Sequence, residues 1–210
     1  MRLAVMGGTG RIGGHLLTVL AGAGHEMTVL ARDPGPGLAG PGSRAVTAVR
    51  GDATDPAAVQ AAVDGADAVL SALGPRGART PALLGTAARN ITAAMEQTSA
   101  RRLICVSAAG AFITGDPDMG ALIKLILPRL LAKQFADTRE MEQVISASGL
   151  DWTLVRATRL VNTPATGRYR VRPQYAPAGG GKIARADVAH FMAAVLAESS
   201  WIGGRPALAY

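Results

Sequence analysis

A short apolar run near the start of the chain breaks into a glycine-rich turn, and this break constrains the fold more than any other feature. The apolar residues 3–5 are followed at residues 6–14 by Met-Gly-Gly-Thr-Gly-Arg-Ile-Gly-Gly. A strand that turns on glycines and restarts as a helix directs backbone N–H groups and the positive helix end at one point, where a pyrophosphate can bind. Gly8, Gly10 and Gly13 complete a G-x-G-x-x-G pattern, in which glycine permits the tight turn and close packing.

Glycines also serve ordinary turns, so the surrounding pattern decides how the motif is interpreted. A helical pattern over residues 11–21 follows the turn, and a second apolar run follows that helix at residues 27–31. This order of strand, glycine turn, helix and strand is typical of dinucleotide-binding folds. We therefore predict a dinucleotide pocket at the turn, with a purely structural turn as the alternative.

The chain has 210 residues, of which 49% are hydrophobic, and this suits one domain with a substantial core. We expect a single domain over residues 1–210. Because there is no apolar run of about 18 residues and no charged and apolar leader, we expect a cytoplasmic protein with no membrane partner. The lone Cys105 cannot form an internal disulfide, and we interpret it as a core residue rather than a nucleophile.

The formal net charge of +7 raises the question of nucleic-acid binding. Most of the positive charge is arginine scattered along the chain, and no basic stripe with interleaved aromatic residues is present. That pattern does not indicate a nucleic-acid interface. We expect a small-molecule substrate instead, in a monomer or a homodimer.

Apolar strand-like runs alternate with helical segments, which predicts a parallel sheet covered on both faces. The right-handed crossover rule gives the strand order 3-2-1-4-5-6, so the predicted fold class is α/β with a doubly wound, Rossmann-like sheet. The predicted strands span residues 2–6, 26–31, 44–49, 67–71, 102–106 and 152–156. The predicted helices span residues 11–22, 55–63, 80–99, 136–148 and 186–197.

Residues 108–133 interrupt this alternation directly after the fifth predicted strand. Ligands of doubly wound sheets bind at the carboxyl ends of strands, so the segment is a candidate substrate lid. Its apolar residues 121–132 could equally form a packing helix or a dimer face.

The residues that end the second predicted strand bear on the choice of nicotinamide cofactor. An acidic side chain there accepts hydrogen bonds from the adenosine ribose of NAD, whereas an arginine favours the 2′-phosphate of NADP. Here the strand runs into Arg32 and then Asp33, which precedes Pro34 and suits a turn. The planar guanidinium of Arg32 matches phosphate, so we predict NADPH as the cofactor. Arg11 is either a second phosphate ligand or a solvated surface residue.

Small and polar residues follow the third and fourth predicted strands. Asp52 can hydrogen-bond the adenine edge, and Asp55 can cap the next helix. Residues 71–74, Ser-Ala-Leu-Gly, would let the backbone approach a cofactor. Either segment could be a simple turn, but both fall at strand ends where ligands bind.

Several further segments accompany the glycine spacing at residues 7, 10 and 13, namely residues 29–33, 51–52, 73–74, 88–95, 107–108, 148–150 and 187–192. In this order they resemble the NmrA-like group of atypical short-chain dehydrogenases/reductases, and within it the biliverdin-IX beta reductases, also called NADPH-dependent flavin reductases. The resemblance covers nearly the whole chain. It implies a Rossmann-like reductase that uses NADPH.

The resemblance also implies a role for individual cofactor-site residues. It places Arg32 on the 2′-phosphate, Asp52 at the adenine and Leu73 with Gly74 on the ribose side, while Arg76 would close over the bound cofactor. The residues that it places on the pyrophosphate loop are Gly7, Thr9, Gly10, Arg11 and Ile12.

On the substrate side, the resemblance places Ser107 beside the nicotinamide as the catalytic residue, with a hydroxyl that merely satisfies the strand end as the alternative. Ala109 and Arg159 are candidates for substrate contact, since Arg159 could attract a phosphate or carboxylate. The chain also departs from the family. Pro36 replaces a second arginine of the phosphate clamp, and Thr138 and Arg159 stand where the family has two histidines.

The Y-x-x-x-K pair of ordinary short-chain dehydrogenases is absent, because Pro173 follows Tyr169 and Gly179 follows Tyr175 at that spacing. Reducing an isolated ketone produces an alkoxide that needs a positioned proton donor, a contribution of roughly two to four powers of ten in rate. A conjugated acceptor such as a flavin, quinone or tetrapyrrole delocalises the charge of the hydride, so solvent can supply the proton.

We therefore predict an NADPH-dependent reductase of such an acceptor, in which the protein mainly holds the two reactants together. The alternatives are a non-catalytic NADP(H)-sensing regulator and a reductase or epimerase of a biosynthetic pathway.

Overall fold

The computed structural model describes residues 1–35, 38, 45–74 and 82–210. The strands in this part of the chain are β1 Arg2–Met6, β2 Glu26–Ala31, β3 Val46–Arg50, β4 Ala68–Ser71, β5 Arg102–Ala108, β6 Asp151–Ala157, β7 Arg159–Val161, β8 Arg170–Pro173, β9 Lys182–Ala184 and β10 Pro206–Ala209. Eight of the described strands form one sheet in the order β3-β2-β1-β4-β5-β6-β10-β8. All its pairs are parallel except that of β10 with β8. The predicted doubly wound α/β fold and its order 3-2-1-4-5-6 are confirmed.

The strands β7, β8, β9 and β10 lie outside the predicted set. β10 and β8 extend the main sheet beyond β6, and β7 pairs with β9 in a separate two-stranded sheet. β10 reads Pro-Ala-Leu-Ala, which lacks the β-branched and aromatic residues that favour strands. β7 and β9 have three residues each, too few to show a periodic pattern.

The helices of the described residues are α1 Arg11–Gly22, α2 Pro56–Val63, α3 Leu83–Glu96, α4 Ala121–Leu130, α5 Ala132–Ala147 and α6 Arg185–Ala197. A 3-10 helix also occupies Ala109–Gly115. The carboxylate of Asp55 accepts a hydrogen bond from the backbone N–H of Ala57 over 3.0 Å, so the predicted cap of α2 is confirmed. α5 begins at Ala132 rather than residue 136, because helical hydrogen bonding continues almost directly from the end of α4.

Two apolar layers cover the sheet, because alternate residues of each strand point to opposite faces. On β5, Leu103 and Cys105 pack in the layer that includes α2, α3 and α5. Ile104 and Val106 pack in the layer that includes α1 and α6. The carboxyl ends of the strands between these layers form the edge where ligands of such sheets bind.

α4 lies in the predicted lid segment, residues 108–133, and packs on the 3-10 helix and α5. It contains no buried residue. Its exposed apolar side chains are Leu122, Ile123, Leu125, Ile126 and Leu130. The interpretations of this segment as a lid or a dimer face stay predictions.

Among the described helices, none combines the length and the apolar character needed to cross a bilayer.

Candidate active site

Backbone contacts at the turn between β1 and α1 exclude side chains. Gly7 has a φ of +78°, and a Cβ on it would lie 3.0 Å from the backbone of Ala72. A Cβ on Gly13 would lie 2.1 Å from the carbonyl oxygen of Gly7, which also accepts a hydrogen bond from the Gly10 N–H over 2.9 Å. Only glycine allows this approach of helix to turn, and the same approach opens the backbone to a pyrophosphate.

The beginning of α1 has the electrostatic character of an anion site. α1 carries no side-chain cap and no acidic residue in its first turn. Thr9 and Arg11 are exposed here, while Ile12 is buried and anchors the helix in the core. Burial, and then the positive charge of Arg11, lower the pKa of Arg185 at the start of α6. Arg11 itself is the first residue of α1, at the positive helix end where anions are stabilised.

A cleft lies beside the glycine turn, at the ends of β2, β3 and β4. The Nε of Arg32 lies 4.0 Å from Oδ2 of Asp52, and the Arg32 side chain is 58% exposed. Oδ1 of Asp52 accepts hydrogen bonds from the N–H and the hydroxyl of Thr54. The predicted cofactor residues that line this cleft are Gly7, Thr9, Arg32, Asp52 and Leu73.

Four other predicted cofactor residues that the structure describes, Gly10, Arg11, Ile12 and Gly74, do not line this cleft. Gly74 is exposed directly after Leu73, and a Cβ on Gly74 would meet nothing within 4 Å. Glycine is therefore not required there by packing. Arg76 and Pro36 lie outside the described residues. The roles assigned to Gly74 and Arg76 stay predictions.

Ser107 lies near the end of β5, in register with Arg156 of β6. The Ser107 hydroxyl donates to Oε1 of Glu142 on α5 over 2.5 Å. Arg156 donates to the same carboxylate, through Nε over 2.9 Å and through Nη2 over 2.6 Å. The Nε of Arg205 lies 3.3 Å from Oε2 of Glu142. Ser107, Glu142 and Arg156 are all buried, so the candidate catalytic hydroxyl belongs to a buried ionic network.

A pocket adjoins this network, lined by the 3-10 helix that follows β5, by α5 and β6, and by residues after β8 and before β10. Its lining includes Phe112, Arg139, Arg156, Tyr175 and Arg205. The guanidinium carbon of Arg156 lies 3.5 Å from the centroid of the Phe112 ring, close enough for a cation–π contact.

The predicted substrate residues lie elsewhere. Ala109 is buried at the start of the 3-10 helix, and Arg159 is exposed on β7. Neither residue lines the pocket beside Arg156. Their proposed contacts with substrate stay predictions.

Other reactive side chains take structural roles. Cys105 is buried in the core, and this burial raises the pKa of its thiol to about 12. The interpretation of Cys105 as a core residue is confirmed. Thr138 is buried on α5 and donates to the carbonyl oxygen of Gln134 over 3.0 Å.

Sequence reasoning missed Glu142, Arg156 and Arg205. The sequence nevertheless contained two indications. Arg156 interrupts an apolar strand, and Glu142 falls on the face of α5 that also carries Thr138 and Ile145. A charge placed within an apolar pattern implies a buried partner, because an isolated buried charge is strongly destabilising.

The glycine turn, the cationic start of α1 and the cleft beneath Arg32 together define a Rossmann-type dinucleotide-binding protein. The chain belongs to the NAD(P)H-binding family, whose model matches residues 7–199. Its cofactor is thus of the NAD(P) type. The isoflavone reductase homolog IRL from Zea mays is 38% identical over 80 residues, which cover 35% of this chain and 26% of the maize protein.

Solved structures share the fold along the whole chain. A short-chain dehydrogenase/reductase from Veillonella parvula in complex with NADP is 22% identical with a TM-score of 0.80, over 100% of this chain and 94% of that one. ChuY, an anaerobillin reductase from Escherichia coli O157:H7, is 19% identical with a TM-score of 0.82, over 100% of this chain and 97% of that one. At these low sequence identities, the similarity to the two structures establishes a shared fold alone.

Proposed function

We propose that this protein is an NADPH-dependent reductase that delivers hydride to a conjugated acceptor such as a flavin, a quinone or a linear tetrapyrrole. The order of sites along the sheet edge carries the proposal. The dinucleotide cleft lies at the ends of β2, β3 and β4, Ser107 lies at the end of β5, and the arginine-lined pocket follows at β6. This order would put Ser107 between the bound cofactor and a candidate acceptor.

The residues present fit NADPH. The close backbone approach at Gly7 and Gly13, where a side chain would clash, suits a turn that binds pyrophosphate through its N–H groups, and the exposed guanidinium of Arg32 suits the 2′-phosphate. When bound, NADPH supplies the hydride. Ser107 would orient the nicotinamide or the acceptor, and the protein's remaining contribution would be to bring the two together.

The pocket beside Arg156 offers the aromatic rings of Phe112 and Tyr175 to a flat acceptor. Phe112 belongs to residues 108–133, which supports a role for that segment in covering the substrate. Because a conjugated acceptor spreads the charge of the added hydride, water can deliver the balancing proton. The name of the structurally similar ChuY is one reason to include a linear tetrapyrrole among the acceptors tested.

The decisive experiment follows the loss of NADPH absorbance with FMN, a quinone and biliverdin in turn, together with product analysis. A reductase oxidises NADPH in proportion to the reduced acceptor formed. A non-catalytic sensor would bind NADPH, as seen by calorimetry, without consuming it. A dedicated biosynthetic reductase or epimerase would leave all three acceptors unchanged while turning over another substrate.

The cofactor preference is tested by replacing Arg32. Arg32→Gln should weaken NADPH binding by about tenfold or more through loss of a charge-assisted contact, and should leave NADH binding nearly unchanged. Arg2 lies at the amino-terminal end of β1, away from the carboxyl ends of the strands. Arg2→Gln is the matched control and should change neither the NADPH affinity nor the NADH affinity. Equal losses of NADPH and NADH affinity in Arg32→Gln would contradict contact with the 2′-phosphate.

A further inference from the structure

Arginines from separate elements converge on the pocket beside β6. Arg139 lies on α5, Arg156 on β6, and Arg205 directly before β10. The pocket is open to solvent and has a volume of about 520 Å³, within the usual range for small-molecule sites. Phe112 and Tyr175 contribute aromatic surface to its wall.

The charges around this pocket do not balance. Glu142 is the carboxylate that contacts the arginines, and it accepts from both Arg156 and Arg205. Arg139 forms no ion pair within the part of the chain that the structure describes. The described lining includes no aspartate or glutamate. The pocket therefore carries a positive excess, which attracts anions most strongly where water is partly excluded.

The hydrogen-bond donors show which arginines remain for a ligand. Arg156 uses all three of its nitrogens on Glu142 and on the carbonyl oxygen of Gln174. Within residues 1–35, 38, 45–74 and 82–210, Arg139 donates only to the carbonyl oxygen of Ala111, and Arg205 only through Nε to Glu142. A guanidinium carries five N–H donors. Most donors of Arg139 and Arg205 are therefore free of partners among these residues.

We propose that this pocket binds an anionic substituent, a carboxylate or a phosphate, on the conjugated acceptor. Arg139 and Arg205 bind the anion, while Arg156 shapes the pocket from its buried pair with Glu142. The inference rests on the proposed reductase function and narrows its substrate to acidic acceptors. Arg205 contacts Glu142, which also accepts a hydrogen bond from Ser107, so an anion bound by Arg205 would lie near the candidate catalytic hydroxyl.

Equilibrium binding in saturating NADP⁺ tests the proposal without turnover. FMN is compared with riboflavin, which lacks the phosphate, and biliverdin with its dimethyl ester, which lacks the free carboxylates. Flavin or bilin spectra report binding. We expect at least one acidic member to bind about tenfold or more tightly than its uncharged counterpart, the amount typical of a charge-assisted contact.

Arg139→Gln should remove most of that preference, because it removes donors that bind the anion. Among the described residues Arg139 has no carboxylate partner, so the change leaves no carboxylate there uncompensated. Arg89→Gln, an exposed arginine on α3, is the control and should keep it. A preference for FMN over riboflavin would identify the anion as a phosphate. A preference for biliverdin over its dimethyl ester would identify it as a carboxylate.

Equal binding of acidic and uncharged members in both pairs would overturn the inference, as would an unchanged preference in Arg139→Gln. Competition of the acidic probe with NADP⁺ would also overturn it, because the probe would then occupy the dinucleotide cleft. Failure of the reductase proposal has a different signature, namely binding of NADPH with no oxidation by any acceptor.

Discussion

The hydroxyl of Ser107 donates a hydrogen bond to the buried carboxylate of Glu142 over 2.5 Å. A serine hydroxyl has one proton and two acceptor lone pairs. Because the hydroxyl hydrogen is already hydrogen-bonded to Glu142, the lone pairs of the Ser107 oxygen remain to accept a hydrogen bond from a ligand. Ser107 is therefore suited to accept a hydrogen bond from an N–H group of the nicotinamide amide or of the acceptor, rather than to donate a proton to the product.

Removal of this hydroxyl should impair turnover more than cofactor binding. We expect Ser107→Ala to lower kcat by about tenfold or more, since misplacing reactants by a small distance is costly in rate, while the Kd for NADPH stays within about twofold. Steady-state kinetics and calorimetry provide the two measurements. Ser148→Ala removes a hydroxyl at the end of α5 and is the control. If neither kcat nor KM changes in Ser107→Ala, the hydroxyl has no part in the reaction.

Glu142 should contribute strongly to stability because it compensates buried positive charge. Glu142→Gln leaves Arg156 without a carboxylate, a loss expected to lower the free energy of unfolding by about 3–5 kcal/mol. The double variant Glu142→Gln with Arg156→Met removes both charges, so it should be less destabilised than the sum of its single variants. Urea unfolding measures all of them. Additive losses would show that the two side chains are not energetically coupled.

Gly13 and Gly14 provide a matched pair at the dinucleotide turn. A Cβ on Gly13 would lie 2.6 Å from Cα of Gly8, whereas a Cβ on Gly14 would meet nothing within 4 Å. Gly13→Ala should lower stability by about 1–3 kcal/mol through overpacking and should weaken NADPH binding. Gly14→Ala should raise stability by about 0.5–1 kcal/mol, because alanine is a better helix residue. Thermal unfolding and calorimetry separate these effects, and equal behaviour of the two variants would contradict the close approach at Gly13.

The fold was predictable where local sequence patterns determine it. Apolar runs alternating with helical segments define β1 to β6, and the crossover rule then fixes their order. The strands β10 and β8, which extend the sheet beyond β6, gain their stability from pairing with strands distant along the chain, so their own sequences carry little information.

The same distinction applies to the site. The glycine turn and Arg32 belong to short motifs with known spacing. Glu142, Arg156 and Arg205 come from separate elements, and Glu142 and Arg205 are 63 residues apart. Their meeting depends on how α5 packs on the sheet, which sequence spacing alone does not give.

Asp187 on α6 forms hydrogen bonds with the loop before β8 and with Tyr210 after β10. Its carboxylate accepts hydrogen bonds from the hydroxyl of Tyr210 over 2.6 Å and from the backbone N–H groups of Thr166 and Gly167. Burial by itself would raise the pKa of Asp187, but the hydrogen bonds from Tyr210, Thr166 and Gly167 outweigh it and lower the pKa below 3.8.

Because the pKa of Asp187 is lower in the folded protein than in the unfolded chain, ionised Asp187 contributes stability that is fully present above pH 3.8 and is lost as the pH falls through the folded value. Asp187→Asn should therefore lower the free energy of unfolding at neutral pH by about 1–3 kcal/mol, since an amide cannot satisfy all these donors. The difference from the natural protein should shrink in acid. Asp64→Asn, an exposed change after α2, is the control. Urea unfolding as a function of pH checks the prediction, and a difference independent of pH would show that the carboxylate's charge is not what stabilises this junction.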